Sequence, residues 1–353
     1  MSKFHKIPVK NIERLTPDSV VISFAIPDAL QNEFAFKAGQ HVIVRTNIDG
    51  EDVRRTYSFC SAPSENVFRI AVRKIDGGMF STYVNTGLNS GDVLEISNPL
   101  GAFSLDKTSS GTSGTYVGIA AGSGITPIMS MIRTVLMDDP NSKFFLYYGN
   151  RDAEHTMFRT ELAALKNLYM GRFSAQMFMT RQATDVEFFN GRIDGDKITH
   201  LHKHVFGALG VDGYFLCGPK SMVDGARESL LAAGETEANI HSELFFAGEE
   251  AGRRKVANAP AKAKINVIMD GRKVEVDYRN EHGSILDAVL GAGLDAPFSC
   301  KGGVCATCRA KVTDGKVDMA INYGLEPEEI KDGYVLSCQT VPLSKKVTVN
   351  FDA

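Results

Sequence analysis

The chain has 353 residues, six of them cysteine, with a formal net charge of −3; 43% of its residues are hydrophobic and 23% charged. That length suits two or three domains of ordinary globular composition, and the lack of any basic excess excludes a nucleic-acid footprint. No run of about 18 apolar residues is present to span a membrane, and the opening MSKFHKIPVKNIERL lacks the apolar core of a secretory signal, so a cytoplasmic location is expected.

Residues 1–110 alternate apolar and polar positions between frequent turn residues, as in SVVISFAIP, GQHVIVRT, FRIAVRKI and DVLEIS. This pattern predicts a small antiparallel β-barrel. Within it, RRTYSFCS places Arg55 and Tyr57 on one side of a strand, where a planar ring can stack and a phosphate can pair with a guanidinium. Taken alone, such a pair more often decorates a surface. Further on, RKIDGGMFSTYV sets Gly77 and Gly78 before a helix, whose first N–H groups, with the Ser81 hydroxyl, suit a pyrophosphate. Cys60 reads as a small buried hydrophobe. The stretch DKTSSGTSGT, 106–115, reads as a bridge to the next unit.

Residues 111–246 change character. Strand-like YVGIAA, FFLYYGN, FSAQMFMT, GYFLCGP and NIHSELFF alternate with helix-like PIMSMIRTVLMD, FRTELAALKN and SMVDGARESLLAAG. Alternation of this kind predicts a doubly wound parallel α/β sheet, with the methionine-rich helix facing the core. AAGSGITP follows the first strand: Gly122 and Gly124 let the backbone approach a pyrophosphate, and Pro127 suits a first helical turn. The usual third glycine is absent, and a plain tight turn is the alternative. LCGPKSM ends a later strand with a second glycine turn, and ligands gather at such strand ends. Cys217 is then either an ordinary buried thiol or a neighbour of the nicotinamide. The strand ends holding Arg151, Thr180 and Arg181 suit the 2′-phosphate of NADPH, although both arginines also read as solvated charges. In HLHKH, His200, His202 and His204 would share one face of a strand; a polar surface segment is favoured over a metal site.

AGEEAGRRKVANAPAKA, 247–263, reads as a linker. Residues 264–353 hold CKGGVCATC, with Cys300, Cys305 and Cys308 spaced C-x4-C-x2-C and Cys338 following after 29 residues. This is the spacing of a plant-type [2Fe–2S] site, with zinc as the alternative four-thiolate reading. Zinc sites usually pair two C-x2-C knuckles, and only one occurs here. KINVIMDGRKVEVDY predicts a hairpin turning at Asp270-Gly271, and SILDAVLGAG a helix capped by Ser284. With the strands that follow, a β-grasp ferredoxin domain is expected.

RTYS, GGMFS, GSGITP and CGP, in this order, resemble the flavin, FAD-pyrophosphate and nicotinamide-nucleotide motifs of the ferredoxin–NADP reductase family. The C-terminal ferredoxin domain is similar to that of reductase components of multicomponent oxygenases. Within that group the tail from Cys300, together with YYGNRDAEHTMFRTEL, GRIDGDK and IHSELF, resembles the reductase subunits of phenylacetyl-CoA epoxidases. RRTYSFCSAP departs from them at Thr56 and Phe59, positions that vary in the family. The resemblance implies that Arg55, Thr56, Tyr57 and Ser58 line FAD, with Ser58 near N5, and that Gly78, Met79, Phe80 and Ser81 hold its pyrophosphate. It places Gly122, Gly124 and Thr126 at the nicotinamide nucleotide. It further places Cys217, Gly218 and Pro219 around the hydride pocket, with Glu243 near the same ring or merely exposed at a strand end. Ser58, Cys217 and Glu243 are thereby the candidate catalytic residues, and the four cysteines the cluster ligands. The implied activity is NAD(P)H oxidation, passing electrons through FAD and [2Fe–2S] to an oxygenase partner. A ring-hydroxylating or steroid-hydroxylating system, or a non-enzymatic carrier, is the alternative.

Overall fold

The structure, a computed structural model, describes residues 3–105, 113–246, 260–325 and 327–353. Most of the expected bridge and linker therefore lies outside the described residues. These fall into two compact units, one drawn from residues 4–53 and 57–246 and the other from the C-terminal residues together with residues 54–56.

The first unit opens with six strands: β1 (Phe4–Thr16), β2 (Ser19–Phe24), β3 (His41–Ile48), β4 (Glu51–Ser58), β5 (Phe68–Arg73) and β6 (Val93–Ser97). They form one sheet in the order β4-β3-β6-β1-β2-β5. Register shifts in β1 between Val9 and Asn11 and between Arg14 and Thr16 are irregularities that bend a strand and help a sheet to curl. The inward positions, among them Ile7, Ile22, Val44, Phe59, Ile70 and Leu94, make one apolar cluster. Asp49 (φ 53°) and Gly50 (φ 88°) are the two turn residues between β3 and β4, the left-handed pair that a type I′ hairpin requires. Helix α1 (Met79–Thr86) follows β5. Cys60 is buried as expected, and burial pushes its thiol up to about 12.

The same unit continues through β7 (Thr115–Ala121), α2 (Ile125–Asp138), β8 (Lys143–Asn150), α3 (Arg159–Leu168) and β9 (Phe173–Met179). It then adds α4 (Gly195–His204), β10 (Gly213–Pro219), α5 (Lys220–Ala232) and β11 (Ile240–Phe246). The strands are parallel in the order β11-β10-β7-β8-β9. The chain runs outward from β7 to β9, then returns to the other side of β7, so its direction switches between β7 and β10. Ligands of doubly wound sheets bind at that switch. Helix α2 buries Ile125, Ile128, Met129, Met131, Ile132, Val135 and Leu136, so Met129 and Met131 are core, as expected, while Met137 at its end is exposed. Barrel and parallel sheet are tied together: Ser130 Oγ donates to the Ser61 C=O at 2.6 Å, and Arg133 to Glu65 at 2.6 Å.

HLHKH ends α4, so the shared face that a strand would give its histidines does not form, and the segment is polar surface. Asp194 caps the helix by accepting from the Lys197 N–H at 3.0 Å, and Ile198 and Leu201 are buried one turn apart. That spacing serves a helix and outweighs the alternation of the histidines. His202 pairs with Glu235 at 2.7 Å, while His200 and His204 are exposed.

The C-terminal unit holds β12 (Lys262–Met269), β13 (Arg272–Arg279), α6 (Ile285–Gly291), β14 (Arg309–Asp314) and β15 (Val317–Met319). It ends with α7 (Pro327–Lys331), β16 (Tyr334–Leu336), β17 (Thr340–Pro342) and β18 (Lys346–Asn350). Lys262 and Ala263, read above as linker, already belong to β12, because they pair with Arg279 and Tyr278. The main sheet runs β13-β12-β18-β14-β16, and β15 pairs with β17. Asp270 (φ 52°) and Gly271 (φ 68°) make the expected hairpin turn. Ser284 accepts from the Asp287 N–H at 3.1 Å as the cap of α6. That helix buries Ile285, Leu286 and Val289 in a core with Ile265, Val267, Val347 and Val349.

Candidate functional site

The flavin motif lies on β4. Arg55 is exposed, Tyr57 half-buried and Ser58 buried. The Tyr57 ring sits 5.4 Å from that of Phe80 at 33°, which brings the strand carrying RTYS against the first turn of α1. Gly78 precedes that turn, and only glycine fits: a Cβ there would stand 2.5 Å from Ser81 Oγ and 3.0 Å from the Ile75 C=O. The Ser81 hydroxyl accepts from the Ile75 N–H at 3.1 Å and donates to the Gly78 C=O at 3.2 Å. It therefore shapes the loop that presents the helix N-terminus, in addition to any contact with a ligand. First-turn N–H groups of this kind are suited to an anion.

The two glycine turns meet at the sheet switch. Gly122 is left-handed (φ 56°) and its C=O accepts from the Tyr148 hydroxyl at 2.9 Å. A Cβ on Gly124 would collide with the Cys217 C=O, so the turns touch backbone to backbone. Thr126 donates to the Ser123 C=O at 3.1 Å, closing the first helical turn. In the sheet, Cys217 stands between Ala120 of β7 and Glu243 of β11. Cys217 is fully buried; burial, helped by the Glu243 charge, pushes its thiol up. It stays protonated at neutral pH and behaves as a soft, uncharged wall. Glu243 is no free strand-end carboxylate: its side chain is only 20% exposed and faces His41.

The expected 2′-phosphate site is brought together only in part. The ends of β8 and β9 adjoin, with the Arg181 N–H bonded to the Arg151 C=O at 2.8 Å and Thr180 Oγ1 to the Asn150 C=O at 3.2 Å. The Arg151 guanidinium turns away to Asp18 of the barrel at 2.7 Å. Burial works against the Asp18 charge. The Thr16 hydroxyl and the guanidinium groups of Arg73 and Arg151 outweigh it and hold the carboxyl below its usual range. Thr180 and Arg181 are exposed, and the Arg151 side chain is half-exposed while paired with Asp18. Sequence reasoning missed Arg73, whose Nη1 would stand 3.3 Å from a Cβ on Gly122 and whose Nε lies 3.4 Å from Asp18. Its signal was the Arg73-Lys74 pair just before the Gly77-Gly78 loop.

The four cysteines are free thiols that fall into two neighbouring pairs, Cys300 beside Cys305 and Cys308 beside Cys338. The loop bends through left-handed Lys301 (φ 51°), Gly303 (φ 78°) and Ala306 (φ 51°). That bend aims the N–H groups of Gly302 and Cys305 at the Cys300 sulfur, at 3.3 and 3.4 Å. The Cys305 thiol and these donors hold Cys300 well below the usual thiol range. Cys338 is tied to the loop: the Ser337 N–H bonds the Cys308 C=O at 3.0 Å, and Gln339 donates to the Lys301 C=O at 2.8 Å. Among the described residues no three ligand-type side chains close on one point. Two thiolate pairs with N–H groups aimed at sulfur fit two bridged irons better than one tetrahedral ion.

Residues 6–105 match the family described as the oxidoreductase FAD-binding domain, 119–228 the oxidoreductase NAD-binding domain, and 267–343 the 2Fe-2S iron-sulfur cluster binding domain. One component of the 1,2-phenylacetyl-CoA epoxidase of Escherichia coli is 41% identical over 353 residues, covering 100% of this chain and 99% of that protein. The chain belongs to the ferredoxin–NADP reductase family and carries a C-terminal [2Fe–2S] domain. This reductase is also 29% identical to the ferredoxin reductase component of 3-ketosteroid-9-alpha-monooxygenase from Rhodococcus rhodochrous, over 98% of this chain and 96% of that one. Its fold is that of phthalate dioxygenase reductase, with a TM-score of 0.64 at 24% identity and 98% coverage of both chains. The reductase is an NAD(P)H oxidoreductase using FAD and [2Fe–2S]. Among the described residues no helix is long and apolar enough to cross a membrane.

Proposed function

We propose that this reductase oxidises NADPH in the cytoplasm and supplies electrons to the oxygenase of a phenylacetyl-CoA epoxidase. The observation that carries the reading is the full-length likeness, at 41% identity, to a component of that enzyme. Bound FAD would supply the exchange between two-electron hydride chemistry at the nicotinamide and one-electron chemistry at the cluster.

The chain's own residues position and shield. Arg55, Thr56, Tyr57 and Ser58 line the flavin, and the N–H groups of Met79, Phe80 and Ser81 hold its pyrophosphate behind Gly78. Gly122, Gly124 and Thr126 admit the nicotinamide nucleotide at the sheet switch, opposite Gly218 and Pro219. The buried Cys217 thiol keeps water from the hydride path, and Glu243 lies beside it with its carboxylate toward the same pocket. Hydride transfer needs no general acid, so positioning and exclusion of water carry the rate. Cys300 and Cys305 would hold one iron, and Cys308 and Cys338 the other. Thr180 and Arg181 read the 2′-phosphate, with Arg151 held behind them by Asp18.

The test is NADPH oxidation by the holo-reductase mixed with the epoxidase oxygenase and phenylacetyl-CoA. Substrate-dependent turnover, with NADPH preferred to NADH, is expected. Cytochrome c reduction without any coupling to that oxygenase would reassign the reductase to another oxygenase system.

A further inference from the structure

We infer that His41 is a positioning residue for hydride transfer, holding the Glu243 carboxylate beside Cys217. The inference rests on the reading of Ser58, Cys217 and Glu243 as walls of the hydride pocket.

His41 opens β3, on the barrel, and Glu243 belongs to β11, on the parallel sheet. The His41 Nδ1 lies 3.6 Å from Glu243 Oε1, with side-chain exposures of 7% and 20%. The two-residue turn between β3 and β4 sets Ile48 opposite Glu51. Continued along the pair, it sets His41 opposite Ser58, and the Phe59 N–H bond to the Gln40 C=O at 2.9 Å agrees with that register. Directly opposed residues share a sheet face, so the imidazole stands beside Ser58. On the other side of the contact, Glu243 is the register partner of Cys217. One histidine thus joins the strand carrying the flavin motif to the strand flanking the nicotinamide turn.

The histidine has little freedom. Gly101 is left-handed (φ 107°), and a Cβ there would come 2.8 Å from His41 Nδ1, so the absent side chain leaves the ring its place. Neither His41 Nδ1 nor Glu243 Oε2 has a hydrogen-bond partner. Buried polar atoms of this kind require one. At 3.6 Å the pair is just beyond hydrogen-bonding distance, and a small shift of either side chain closes it. The nicotinamide gains positive charge as its hydride, a proton with two electrons, leaves C4 for the flavin. A carboxylate fixed near that ring favours the transition state, whereas one free to swing into water does not. His41 exchanges no proton in this scheme.

The experiment is stopped-flow reduction of the flavin in the full holo-reductase after mixing with NADPH. H41L is expected to slow hydride transfer about tenfold, with the Kd for NADPH unchanged. E243Q should slow it by a similar factor, and the double variant should be no slower than E243Q, because the two residues act as one unit. H41N, whose amide nitrogen takes the place of Nδ1, should recover to within about twofold of the wild-type rate. H41L at the wild-type rate, multiplying effects in the double variant, or H41N as slow as H41L would each overturn the inference. E243Q at the wild-type rate would instead remove the hydride-pocket reading on which it rests. Should H41L purify without flavin, H41Q, whose amide reaches the Nε2 position instead, carries the same expected slowing.

Discussion

Gly124 and Cys217 touch backbone to backbone, although 93 residues separate them: a Cβ on Gly124 would collide with the Cys217 carbonyl oxygen. The first nucleotide turn therefore seats directly on the second. G124A is expected to destabilise the protein by ~1–3 kcal/mol, as overpacking of a tight contact does, and to raise the KM for NADPH. A shift in the urea midpoint together with steady-state kinetics checks both effects. An unchanged midpoint would show that the turns can separate at no cost.

Arg151 and Arg181 separate by role. R181A is expected to raise the KM for NADPH about tenfold and leave that for NADH little changed, since a charged hydrogen bond is worth ~1.5–3 kcal/mol. R151A should alter nucleotide preference less and lower thermal stability more, because its partner is Asp18.

The folded-state pKa of Asp18 is lowered. A depressed carboxyl contributes stability above its unfolded value of about 3.9 and loses it as pH falls through the folded pKa. D18N should therefore be less stable than the parent at pH 6, by at most ~1 kcal/mol given solvent screening. The gap should narrow below about pH 4. Unfolding midpoints across that range decide the matter; a gap that widens on acidification would reverse the sign.

C338S removes one thiolate of the Cys308 pair. The purified variant is expected to lose the brown absorbance of the cluster and its cytochrome c reduction, while NADPH-driven ferricyanide reduction at the flavin persists. Iron content and visible spectra provide the check. Loss of ferricyanide reduction as well would mean that flavin reduction depends on an intact cluster site.

Local features were legible before any coordinates. The Asp270-Gly271 hairpin, the Ser284 cap, the strand-turn-helix at Gly122 and the spacing of Cys300, Cys305 and Cys308 all depend on neighbours in sequence, where φ preferences and side-chain caps act. The alternation of three histidines in HLHKH left its element open, since it would suit one face of a strand. The Asp194 cap and the buried Ile198 and Leu201 are the stronger local signals for a helix.

What the chain determined by itself was its kinds of element and its chemistry: a barrel, a doubly wound sheet, a β-grasp unit, two glycine turns and four thiols. What only tertiary structure decided was which distant groups meet. Asp18 takes Arg151 across 133 residues, His41 reaches Glu243, and Cys217 stands between Ala120 and Glu243. Strand order and the meeting of barrel and sheet set those pairings. Both depend on burial and hydrogen bonding summed over the whole unit, which no local pattern of residues encodes.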